Sequence, residues 1–128
     1  EVDPLYYFLR AQVRTAQVEA QPINDDELRL RYMETLQDWK YVAKSFPDFP
    51  YASYNMGNTY VKLKDYLSAI TSYTEAITRD SSMPEPYFNR AIAYILNNQV
   101  EKGLSDLSQA GELGLYQAYS LIKKYSKK

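Results

Sequence analysis

The stretch from Pro50 to Ile77, PYASYNMGNTYVKLKDYLSAITSYTEAI, lies over the stretch from Pro84 to Gly111, PEPYFNRAIAYILNNQVEKGLSDLSQAG, at an offset of 34 residues. A period of that length marks a helical-repeat architecture, in which each unit is a helix pair that buries its apolar face by stacking on its neighbours. Tyr54 meets Phe88, Asn55 meets Asn89, Gly57 meets Ala91, Tyr60 meets Tyr94, Ala69 meets Gly103, Tyr73 meets Leu107 and Ala76 meets Ala110. Small residues recur over small ones, and large over large. Met56, Tyr60 and Leu63 share one helical face, as do Ala69, Ile70, Tyr73, Ala76 and Ile77, so each unit reads as two amphipathic helices.

The register extends in both directions. Moved by 34, Thr35, Leu36, Trp39 and Val42 fall under Ala69, Ile70, Tyr73 and Ala76, which predicts an earlier second helix over roughly Asp25 to Phe46. Asn24 followed by Glu27 has the spacing of a capping box at its start. The first helix of that unit is recovered with a shift of 80, which lays Pro4, Tyr7, Phe8, Arg10 and Ala11 over Pro84, Tyr87, Phe88, Arg90 and Ala91. The difference leaves twelve extra residues between Ala11 and Thr35, enough to lengthen each helix by about 9 Å at the helical rise. Gln21-Pro22-Ile23-Asn24 is the expected turn at the tip. Either a docking edge or a longer pair with a packing role alone fits this extension.

Pro4, Pro50 and Pro84 fall where each first helix begins, a position at which the missing N–H costs nothing. Asn98 suits a left-handed turn residue, and Lys64, its counterpart, suits one less well. Asp25 and Asp26 diverge in direction at a helix start, which favours a role with the helix dipole over acid/base chemistry. After Ala110, Gly114 can end a helix, and Leu115, Ala118, Tyr119, Ile122 and Tyr125 recur at helical spacing. They predict an amphipathic helix over 115–126 that covers the open end of the stack.

Composition narrows the function classes. The 128 residues carry 15 basic and 16 acidic side chains, a net charge of -1, with 45% apolar residues, the balance of a soluble globular chain. Nucleic acid or an anionic membrane needs a clustered positive field, so neither is expected as a partner. Lys123, Lys124, Lys127 and Lys128 crowd the end of the chain and read as cations that complement a helix dipole. With no cysteine and no histidine, most nucleophile, imidazole-base and zinc schemes are missing, so no catalytic residue, metal or cofactor is expected. No apolar run approaches the roughly 20 residues of a membrane span. Glu1 is not an initiator residue, so the chain reads as a piece of a longer one and leaves compartment open. Fourteen tyrosines against four phenylalanines and one tryptophan suit a thin stack in which rings pack while hydroxyls stay wet.

These spacings resemble the tetratricopeptide repeat (TPR) family. The middle unit supplies Met56-Gly57, Tyr60, Ala69, Tyr73 and Ala76, and the third supplies Tyr87, Ala91, Tyr94, Gly103, Leu107 and Ala110. The likeness covers Pro50 to Leu115 and is weaker in the first unit. Ser53 replaces the large aromatic, Arg14 stands where tyrosine is usual, and Ser81 and Leu115 stand where a closing proline is usual. DYLSAITSYTEAI and LSQAGELGLYQAYSLIKKY look like bacterial TPR proteins in particular. The resemblance implies an all-α, right-handed superhelix of three helix pairs and a C-terminal capping helix, one domain over 1–128. Its units would be 4–49, with the insertion, 50–83 and 84–114.

In TPR proteins the first helices line a concave groove that binds an extended peptide or a partner helix. Carried over by position, the groove would present Phe8, Tyr54 and Phe88 as an aromatic strip. Gln12, Asn58 and Ile92 would flank it, with Asn55 and Asn89 one residue beyond the rings. Rings supply apolar area, and carboxamides both donate to and accept from a peptide backbone. The TPR subclass that grips chaperone C-terminal carboxylates uses a lysine and an asparagine in one unit, an asparagine in the next and a lysine with an arginine in the third, where this chain offers Phe8, Gln12, Asn55, Glu85 and Asn89. The cations are missing and Glu85 repels a carboxylate, so that subclass is not expected. The expected function is a protein-interaction module or scaffold. A self-associating or bracing segment is the alternative, and an enzyme is disfavoured because no nucleophile with a base, metal set or phosphate loop is present.

Overall fold

The computed structural model describes residues 3–20 and 24–126, and seven α-helices account for most of them. They are α1 (Pro4–Ala20), α2 (Asp25–Ser45), α3 (Tyr51–Lys62), α4 (Tyr66–Arg79), α5 (Pro84–Leu96), α6 (Val100–Glu112) and α7 (Ala118–Ser126). Each helix packs on the next, and α3 also touches α5, so the first helices of successive units lie side by side. The result is a TPR-like superhelical arrangement of helix pairs closed by a short capping helix. The Gln21–Ile23 part of the expected turn, and Lys127 and Lys128, lie outside the described residues.

Helix ends follow local chemistry. Asn24 caps α2 by accepting from the Glu27 N–H at 2.9 Å, and Asp65 caps α4 by accepting from Ser68 N–H at 3.2 Å. Pro4 and Pro84 are the first residues of α1 and α5, whereas Pro50 stands one residue before α3 as its N-cap. Lys64 and Asn98 both take left-handed geometry, φ 60° and 63°, in the tight turns inside the second and third pairs. The capping helix begins three residues later than its apolar spacing suggested. Gly114, at φ 108°, turns the chain so that Leu115 N–H bonds back to Ala110 and drops its side chain onto the last core cluster. A turn through Tyr116 follows before α7 starts.

The twelve residues without repeat partners appear as helix length. Helix α1 has 17 residues against 12 in α3, and α2 has 21 against 14 in α4. Among the described residues the core is three clusters, each reaching from one helix pair into the next element. One gathers Ala11, Trp39, Val42 and Ala52, a second Ala69, Tyr73 and Ala93, and a third Ala91, Leu107, Ala110 and Ala118. Alanines recur because close helix crossings leave room for one methyl. Gly57 has room for none, since a Cβ there would overlap the Tyr73 ring.

Two ion pairs tie helix partners together at equivalent places. Asp38, 2% exposed, accepts from Arg10 Nε at 3.0 Å and Nη2 at 2.6 Å, and from Arg14 Nη1 at 3.1 Å. In the third unit Asp106 accepts from Arg90 Nε at 2.6 Å and Nη2 at 2.7 Å. Both are bidentate pairings of the kind a planar guanidinium forms best. The overlay of Arg10 on Arg90 was visible in the sequence. Asp38 and Asp106 are equivalent in the same register, but their pairing with the arginines was not read from it.

Candidate functional site

A cleft of about 530 Å³ opens between α1, α3 and α5, with α2 and α4 behind it. Of the residues expected in the groove, Gln12, Asn55, Asn58, Asn89 and Ile92 line it. Phe8, Tyr54 and Phe88 do not form its wall. Phe8 packs edge-on against Trp39 and Phe49, with ring centroids 5.3 and 5.5 Å apart. Tyr54 lies 5.9 Å from Tyr73, and Phe88 joins the last core cluster. Their shared position turns each ring into its own helix pair, where it fills the space beside the small residues. The wall that remains sets the carboxamides of Gln12, Asn55, Asn58 and Asn89 among apolar surface from Ala16, Trp39, Val61 and Ile92.

A hydrogen-bond network organises its centre. Asn58 Oδ1 accepts from the Tyr73 hydroxyl and from Asn89 Nδ2, the latter at 3.0 Å. Asn89 Nδ2 also donates to the Tyr54 hydroxyl oxygen at 3.0 Å. Both lone pairs of Asn58 Oδ1 and both hydrogens of Asn89 Nδ2 are thereby committed, which fixes the orientation of each amide. The two Asn58 Nδ2 hydrogens and the Asn89 Oδ1 remain without a partner among the described residues, as does the whole carboxamide of Asn55. A donor pair and an acceptor thus sit in one cleft, the complement of a peptide C=O and N–H.

Burial shapes the hydroxyls. It holds Tyr73 far above the ordinary phenol range, and it raises Tyr54, opposed by the nearby amide of Asn58, helped by the negative charge of Glu85 and opposed also by the hydrogen bond from Asn89. Both are neutral donors and acceptors at physiological pH.

The long first pair closes one end. Thr15, Ala16 and Glu19 of α1 and Tyr32 of α2 line the cleft, and Glu19 reaches Lys62 of α3 at 2.9 Å. That contact raises the Lys62 ammonium, with burial acting against it. Tyr32, buried beside them, is likewise raised by desolvation. Lys62 and Glu19 are the charged side chains that line the cleft, and they are paired with each other. None of Thr15, Ala16, Glu19, Tyr32 or Lys62 was singled out by the repeat. Four of the five lie between Ala11 and Thr35, the interval that holds the twelve extra residues, which is where the signal lay. No group of three or more metal-ligating side chains occurs among the described residues, and no described helix is long and apolar enough to cross a membrane.

Fold and cleft together define a helical-repeat protein whose fold is like that of TPR proteins. A family model for the TPR repeat matches residues 57–98. A stretch of 72 residues is 36% identical to Hsp70-Hsp90 organizing protein 2 of Arabidopsis thaliana, which covers 56% of this chain and 12% of that protein. Among solved structures, the first TPR of Spaghetti (RPAP3), bound to the HSP90 peptide SRMEEVD, superposes with a TM-score of 0.78 at 18% identity over 98% of this chain and 94% of that one. The TPR2AB domain of yeast Sti1, in complex with pHSP90, gives 0.81 at 16% identity over 97% and 46%. A thermophilic TPR protein of Thermus thermophilus gives 0.80 at 15% identity over 93% and 61%. These likenesses show the fold, and the TPR repeat model matches about a third of the chain. The similar proteins come from plant, yeast and bacterium alike, so they do not single out a bacterial source.

Proposed function

We propose that the cleft between α1, α3 and α5 binds an uncharged, extended segment of a partner protein, and that the chain is a non-enzymatic interaction module. The observation that supports this reading is the oriented pair Asn58 and Asn89, whose unused donors and acceptor face one cleft. Asn58 would donate to a ligand carbonyl and Asn89 accept from a ligand N–H, while Gln12 and Asn55 adapt around them. Several similar structures are complexes with HSP90 or HSP70 peptides, including the acidic SRMEEVD. Peptide binding is the part of that likeness we carry over. An acidic terminus is not, because the charges lining this cleft neutralise each other and Glu85 lies close enough to raise Tyr54.

The test is selection of unconstrained peptides on the protein, followed by titration of a selected peptide into wild type and Asn58→Leu/Asn89→Leu. We expect a loss of more than about tenfold on removing these amides. Equal affinity would contradict the reading.

A second reading rests on α1. Leu5, Leu9 and Val13 form a row on one face and are 55%, 60% and 54% exposed. Thr59 and Ala93, the repeat equivalents of Val13, are 3% and 0% exposed because a preceding unit covers them. Val13 therefore stands at an uncovered stacking position, with Leu5 and Leu9 exposed beside it, and a second copy of the chain is the occupant we favour for this face.

A further inference from the structure

The middle unit lacks the ion pair that braces its neighbours. In the repeat register Met56 stands where Arg10 and Arg90 stand, and Ser72 stands where Asp38 and Asp106 stand. Where the pair is missing, a cavity of about 300 Å³ opens on a face of α3 other than the one that lines the cleft. Met56, Tyr60, Leu67, Ser68, Ser72 and Glu75 are among its walls.

Several parts of a guanidinium site survive there. Tyr60 is the equivalent of Tyr94, over whose ring the Arg90 guanidinium sits at 5.7 Å. Ser72 donates its hydroxyl to the Ser68 carbonyl at 3.0 Å, which leaves its oxygen free to accept. Glu75 holds Arg79 through Oε1 at 2.7 Å and has a second carboxylate oxygen. Ring, hydroxyl and carboxylate are what a planar cation with several N–H donors requires. The guanidinium that Arg10 and Arg90 supply from the first helix has no equivalent in this unit, where Met56 stands.

We propose that this cavity receives an arginine side chain from a partner protein, which completes in trans the brace that the first and third units make in cis. The guanidinium stacks on Tyr60, donates to Ser72 and Glu75, and lays its methylenes against Met56 and Leu67. This site is separate from the cleft and stands or falls independently of the peptide reading.

The test is a titration of isotope-labelled protein with Nα-acetyl-arginine-N-methylamide, followed by NMR on the backbone amides of Ser68 and Ser72. The citrulline and norleucine derivatives are the neutral controls. Saturable shifts are expected, with arginine at least about fivefold tighter than either control. The double variant Met56→Arg/Ser72→Asp, which rebuilds the intrachain pair, should abolish them. Should that variant fail to fold, exposed Glu75→Gln is the substitute, and arginine should then lose its advantage over citrulline. Absence of saturable shifts up to about 50 mM, equal binding of a neutral control, or an arginine preference that survives either variant would overturn the proposal.

Discussion

Tyr73 is the residue on which the middle of the molecule turns. Its ring occupies the space that a Cβ at Gly57 would need, and its hydroxyl orients Asn58. In the third unit the same contact is made by Ala91 and Leu107, so a smaller partner allows one more methyl. Gly57→Ala should therefore lower stability by about 1–3 kcal/mol through overpacking, read as a shifted urea midpoint. An unchanged midpoint would show that the ring can move aside. Tyr73 also sets an alkaline limit. Burial raises its pKa from the ordinary 10.0, so above pH 10.0 the unfolded chain loses this proton first. The stability it contributes is complete below that pH and is lost as pH rises towards the folded-state value. Wild type should destabilise more steeply than Tyr73→Phe above pH 10.0, measured by urea unfolding at a series of pH values. Parallel curves would remove Tyr73 as the cause.

At the scale of helices, the repeat register was legible because small and large residues alternate at places where two backbones must approach. Ala11, Gly57 and Ala91 mark one crossing, and Trp39, Tyr73 and Leu107 fill it. The same register found the carboxamides of Asn55, Asn58 and Asn89. It did not reveal which side of α1, α3 and α5 faces its own partner helix, so Phe8, Tyr54 and Phe88 read as groove residues when they pack inward. A one-helix rotation of that kind separates a ring in the core from a ring on the wall. The wall formed by Glu19, Tyr32 and Lys62 depends on the longer first pair, through the Glu19 contact to Lys62, and the shorter pairs do not repeat that contact. The α1 face carries its own prediction. If Leu5, Leu9 and Val13 seat a second copy, light scattering should show mass rising with concentration, and Leu9→Lys should return the chain to monomer. A wild-type mass independent of concentration would contradict that reading.

Across the whole molecule, the units have diverged on both faces. On one, the cleft keeps Asn55 and Asn89 in equivalent places, while Gln12, Asn58 and Ile92 differ in chemistry along it. On the other, two units hold an internal guanidinium and the middle one leaves a cavity. A stack whose stability comes from neighbouring pairs tolerates such variation, because each unit needs only its small crossings and its large filling residues. The central claim is that Asn58 and Asn89 meet a bound peptide through their free amide groups. The direct measurement is the NMR response of the Asn55, Asn58 and Asn89 side-chain amides to a selected peptide. The account predicts that the Asn58 and Asn89 side-chain resonances shift and saturate together with peptide occupancy. Shifts confined to α1 around Leu5, Leu9 and Val13, with these amides unmoved, would contradict it.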